Sequence, residues 1–206
     1  MTGFRLSSCG DSVNNKIFMV LLLTLTGAAA ANAQNTLPII VPPPATKLEI
    51  FAARKNATIA TESYFVARVP ADNGCSIRLQ ALILYEAGRE NEQVRGLKVE
   101  VSETQRSKEE RTATSYVDLD ELDSLVRGLN SMLEMTQRGT FLANPVSKEI
   151  SITTMGGLIL TMVQRDTERQ LHISNTLQPD ILCTVSQMAS IVELKTAIEK
   201  VLQNFK

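Results

Sequence analysis

The sequence predicts an α+β fold: antiparallel sheets backed by two amphipathic helices, arranged as a tandem of four strands and a helix. Three observations carry this. Short segments with a period of two recur along the chain, separated by turn residues. Two longer stretches, Asp118 to Leu133 and Ser186 to Phe205, place apolar residues at helical spacing. Each of these closes a run of about four strand candidates, which points to an internal repeat.

The start of the chain reads as an address. Arg5 and Lys16 precede the apolar run Ile17 to Leu25, small residues follow, and Ala31-Asn32-Ala33 fits an A-x-A cleavage pattern. Residues 1–33 are therefore expected to be a secretory signal peptide. The apolar run is shorter than the roughly 20 residues a helical span requires. Cys9 precedes that run, whereas a lipidated cysteine would follow it. Export to a bacterial periplasm or to the extracellular space is the expected destination, with no transmembrane span in the mature chain. Cleavage after Ala33 leaves 173 of the 206 residues, with 19 Lys and Arg against 21 Asp and Glu. A net charge of −2 gives no electrostatic case for nucleic acid or an anionic membrane. Residues 34–46 include Pro42-Pro43-Pro44 and read as a stiff, proline-rich leader.

Residues 47–206 are expected to form one α+β domain of two similar halves, 47–137 and 138–206. "KLEIFAA" alternates, with Leu48, Ile50 and Ala52 on one side, and reads as the first strand. "ATIATESYFVARV" is the second candidate, and Asn73-Gly74 supplies a turn. "SIRLQALILYEA" begins alternating and becomes continuously apolar; "GLKVEV" alternates at Leu97, Val99 and Val101. The mixed-charge run "SETQRSKEERTATS" reads as a solvated hairpin loop. Leu122, Leu125, Val126, Leu129, Met132 and Leu133 then define one helix face. Asp118 is a candidate cap for that helix, with Glu121 three residues on.

The second half repeats the plan. "KEISITT", "LILTMVQ", "RQLHIS" and "ILCTV" read as strands, with a turn at Gly156-Gly157. A final helix follows, with Ser186 as its expected cap. The two helices align at an offset of 69: Leu119 with Met188, Leu122 with Ile191, Leu125 with Leu194, Leu129 with Ile198.

This strands-then-helix duplication resembles the layout of Whirly and PC4-like single-strand-binding proteins. The resemblance implies a topology only, because the chain is slightly acidic and shows no basic-aromatic platform. "LKVEV" with "SYVDLDELDSLVRGLNSM" also resembles segments of uncharacterised exported bacterial proteins with domains of unknown function, and brings no catalytic residues with it.

Motifs with chemistry are absent from the sequence. There is no P-loop, no G-x-G-x-x-G, no H-E-x-x-H and no G-x-S-x-G. The single histidine, His172, has no evident nucleophile or metal partner. Asp118, Asp120, Glu121 and Asp123 crowd a helix start, where the helix dipole is sufficient reason for acids. No catalytic residue, cofactor site or metal site is assigned. Cys75 and Cys183 are the two mature cysteines, and export predicts that they pair as a disulfide. Asn56-Ala57-Thr58 fits a glycosylation pattern, meaningful only in a eukaryotic secretory route. Tyr64, Phe65 and Tyr85 lie in apolar strand runs and are expected in the core. The expected function is non-enzymatic binding of a protein partner or envelope component. A carrier of an apolar small molecule, with a cavity lined by "ALILY" and "LILTMV", and an unrecognised hydrolase are the alternatives.

Overall fold

The computed structural model describes residues 45–104, 110–137, 147–165 and 168–206. The expected signal peptide, and all of the leader but Ala45 and Thr46, lie outside them. The described chain runs α1 (Lys47–Ala52), β1 (Ile59–Pro70), a 3-10 turn (Asp72–Gly74), β2 (Cys75–Glu86), β3 (Arg89–Thr104), β4 (Glu110–Asp118) and α2 (Leu119–Gln137). It continues with β5 (Lys148–Thr153), β6 (Leu158–Arg165), β7 (Glu168–Asn175), β8 (Gln178–Val185) and α3 (Met188–Phe205). Two four-stranded antiparallel sheets, ordered β1-β2-β3-β4 and β5-β6-β7-β8, each precede a helix, so the tandem plan of an α+β chain is present. Strand dominates over helix. No helix among the described residues is long and apolar enough to cross a membrane.

The two sheets and the two long helices share one core. Ile77, Leu79, Val99 and Val101 from the first sheet meet Leu160, Met162, Leu171 and Ile173 from the second. Leu122, Leu125, Leu129 and Met132 of α2 join them, as do Ile191, Leu194, Ile198 and Val201 of α3. These are the helix faces the apolar spacing predicts, and α2 and α3 begin 69 residues apart. Each such side chain, once buried, contributes roughly 2 kcal/mol of transfer free energy.

The strand count per half is as expected, but its membership in the first half is not. "KLEIFAA" is helix, not strand. Thr46 accepts the Glu49 N–H at 3.2 Å, and the Glu49 carboxylate accepts the Thr46 N–H at 2.8 Å, a complete capping box. Leu48 and Phe51, one turn apart, then bury together against Leu82 and Leu84. This second small core explains why "ALILY" is continuously apolar. Ala81 faces the main core, while Leu82 and Leu84 face α1 on the other side of the sheet.

The missing fourth strand comes from the segment expected to be a loop. Residues 105–109 lie outside the description, and "ERTATSYVD" forms β4. Its inward positions, Ala113, Ser115 and Val117, are small enough to pack where the two sheets meet. The β2–β3 hairpin turns at Ala87-Gly88, and β3 begins at Arg89. Asn73 and Gly74 take left-handed φ values of 57° and 78°, as the turn dipeptide requires.

Candidate functional site

The acids before α2 resolve into structural roles. Asp118, only 2% exposed, sits at the end of β4. Its two carboxylate oxygens accept the Lys47 and Leu48 N–H groups at 2.7 and 3.1 Å. Asp118 therefore caps α1 with its side chain, whereas its own N–H donates to Glu121 at 3.3 Å. Glu121 also accepts the Met155 N–H at 2.8 Å. Lys47 pairs with Asp120 at 2.6 Å, which lowers the Asp120 pKa. Asp123 pairs with Arg127 and Lys206. Among the described residues no group of acids, histidines and cysteines is arranged to hold a metal ion.

Ser186 does not cap α3. Its N–H and hydroxyl both donate to Asp72, tying the start of α3 to the β1–β2 turn, and Gln187 takes the cap position without a side-chain bond. His172 is half-buried in β7, between Thr161 of β6 and Thr184 of β8, with Gln170 Oε1 at 3.4 Å. Its neighbours Leu171 and Ile173 are buried in the core.

Cys75 and Cys183 are free thiols in the structure, both buried where the two sheets meet. The Cys75 thiol points at the Leu182 carbonyl at 3.8 Å and the Cys183 thiol at the Ser102 carbonyl at 3.7 Å. Burial pushes both thiols above their ordinary pKa.

The aromatic residues depart most from expectation. Tyr64 and Phe65 are not core: they are 52% and 66% exposed on β1, an outer strand. Tyr64 and Tyr85 both donate to the Glu62 carboxylate, at 2.5 and 3.1 Å, and those bonds raise both phenol pKa values. Beside them Tyr64, Phe65, Val66 and Ala81 form one wall of a recess of about 260 Å³. Lys200, Val201, Asn204 and Phe205 of α3 form the other wall. The Phe205 carbonyl accepts from Arg95 at 3.3 Å, which fixes the end of α3 over the sheet.

Among the described residues the main-chain edge beside these rings is open. An outer strand presents unpaired N–H and C=O groups, and proteins cover or guard them. The outer edge of β4 is covered: Asn175 donates to the Thr114 carbonyl at 3.0 Å. The Gly156 backbone lies so close to the Tyr116 carbonyl that a Cβ would fall 1.9 Å from it. At β8, Arg111 pairs with Asp180, and the Cys75 thiol meets the Leu182 carbonyl. β5 is only six residues long. On β1 no such cover forms among the described residues. Its second half is guarded by a bulge between Phe65 and Ala67, by the charge of Arg68 and by Pro70. Its first half, Ile59 to Phe65, has only Glu62, and that carboxylate is turned to the two phenols.

A second hollow, of about 390 Å³, opens beside α1 and is lined by Leu48, Ala52, Thr61, Leu82, Leu84 and Tyr116. It includes part of "ALILY", but Leu160 and Met162 of "LILTMV" are packed in the main core. The carrier reading asked for one cavity lined by both.

No family model, no curated protein and no solved structure matches this chain.

Proposed function

We propose that this chain is an exported, non-enzymatic binding protein that takes up an extended protein segment along the open half of β1. The observation that supports the reading is the exposed Tyr64–Phe65 pair on an uncovered strand edge, next to an apolar recess. Strand addition uses the free main-chain groups for affinity and side-chain recesses for selectivity. Large exposed rings at such an edge favour docking over solvation. Single-stranded nucleic acid would also stack on rings, but the Glu62 carboxylate beneath the two phenols has the wrong sign for a phosphate backbone. The hydrolase reading lacks support at His172, where Gln170 and two threonines stand in place of an acid.

The test is a photo-crosslinking amino acid at Phe65, with a control at Thr161 on the outer face of β6, in protein made by an exporting host. Adducts at position 65 and none at position 161 are expected. Equal or absent adducts at the two sites contradict the reading.

Export and thiol pairing belong to the same proposal. N-terminal sequencing of the exported protein should begin at Gln34. Cys75 and Cys183 are free thiols in this structure, and the proposal is that an oxidising compartment pairs them as a disulfide. The exported protein, unfolded without reductant, should then show no alkylatable thiol. Two labelled thiols would leave the pair as a buried contact.

A further inference from the structure

We infer that the segment that pairs with the open half of β1 is β1 of a second copy of this chain, antiparallel and centred on Ser63. This rests on the docking-edge reading above and names its occupant. In an antiparallel pair, residues directly opposite lie on the same face of the sheet. Ala60, Glu62 and Tyr64 share the face of Tyr85, Ile83 and Ala81, their partners on β2. Thr61, Ser63 and Phe65 share the other face, opposite Leu84, Leu82 and Gln80. A two-fold pairing must therefore be centred on a residue; a centre between two residues would set one face against the other.

Few centres remain. Centring on Thr61 leaves Tyr64 and Phe65 opposite residues 58 and 57, outside the strand. Centring on Glu62 opposes two carboxylates, which is destabilising. Centring on Tyr64 or Phe65 runs the pairing through the bulge. Centring on Phe65 would also oppose Glu62 to Arg68 across different faces. Centring on Ser63 keeps the five pairs from Thr61 to Phe65 clear of these obstacles and reaches the bulge only beyond them, where Ala60 would face Val66. It sets each Glu62 against Tyr64 of the second copy and each Thr61 against Phe65 of the second copy. The phenol–carboxylate contact repeats the one made within the chain at 2.5 Å. The most exposed ring on the edge gains a methyl-bearing neighbour, and no like charges meet. Two four-stranded sheets become one eight-stranded sheet across the two-fold axis, a closed isologous contact.

Light scattering on the purified chain tests the mass, and cysteine crosslinking tests the register. Twice the chain mass is expected, falling to a single chain mass for Phe65→Lys with an unchanged circular dichroism spectrum. In the exported chain, whose native Cys75 and Cys183 are buried, Ser63→Cys should form an interchain disulfide under copper–phenanthroline oxidation. Thr61→Cys and Phe65→Cys should crosslink when mixed and far less when separate. A single chain mass at the highest soluble concentration overturns the inference, as does equal crosslinking of Ser63→Cys and Arg68→Cys. A single chain mass together with a foreign adduct at position 65 rejects the second copy and leaves the docking edge standing. A single chain mass with no adduct at all rejects both.

Discussion

β1 and β4 are the two outer strands of one sheet, and the chain treats them in opposite ways. β4 receives a covering contact at alternate residues: Asn175 on the Thr114 carbonyl, Gly156 against the Tyr116 carbonyl, and Asp118 held by the N-terminus of α1. These contacts come from the second half of the chain and from the helix before the sheet. Among the described residues the first half of β1 receives none, and it carries the exposed rings. The contrast separates an edge that the chain covers itself from one that, on the proposed function, is left for a partner. It also shows why the halves are not interchangeable. The first sheet has strands of up to 16 residues; the second has strands of six to eight.

Breaking the covered edge should cost most. Gly156→Ala sets a methyl into the Tyr116 carbonyl, and backbone must move; a loss of about 3 kcal/mol is expected from denaturant unfolding. Asn175→Ala removes the bond to Thr114, a second one to Ser115 at 2.6 Å and the turn bond to Leu177. Its expected cost is about 2 kcal/mol, because buried acceptors are left unpaired. At the open edge the same measurements should barely respond. Phe65→Lys should change stability by no more than about 0.5 kcal/mol, as surface substitutions do, while removing association. A large stability loss there would mean that Phe65 is a packing residue after all.

The smallest effect is a titration. The phenols of Tyr64 and Tyr85 are raised because each donates to Glu62. Their contribution is present below the unfolded phenol value of about 10 and is lost as pH rises through the raised folded values. Glu62→Gln should move tyrosinate absorbance to lower pH. An unchanged curve would remove the carboxylate as the cause.

Much of this was legible in the sequence. The two long helices were, because a stripe such as Leu122, Leu125, Leu129 fixes both period and face. Seven of the eight strands follow from apolar runs bounded by turns. α1 escaped because Leu48-Glu49-Ile50-Phe51 satisfies a period of two as well as a single helical turn. The signal that separates the readings was present, since Thr46 and Glu49 stand at capping-box spacing. β4 escaped because its buried side chains include Ser115, and small polar residues read as loop. The docking edge was hidden for a different reason. Alternation assigns faces of a strand but does not say whether a sheet continues beyond it. Tyr64 and Phe65 look like core until strand order makes β1 the outer strand and the bulge before Ala67 shifts the register.

Amide hydrogen exchange across the two outer strands, followed over a range of protein concentrations, tests the central claim most directly. Exchange in Thr112 to Val117 of β4 should not change with protein concentration, because Asn175 and Gly156 of the same chain already occupy that edge. Within Ala60 to Phe65 of β1 the alternate, outward-pointing amides should exchange fast when dilute and slowly when concentrated, because they find partners only in another chain, whereas those bonded to β2 stay slow throughout. Slow exchange of both strands in the dilute protein would contradict it, because the edge of β1 would then already be covered.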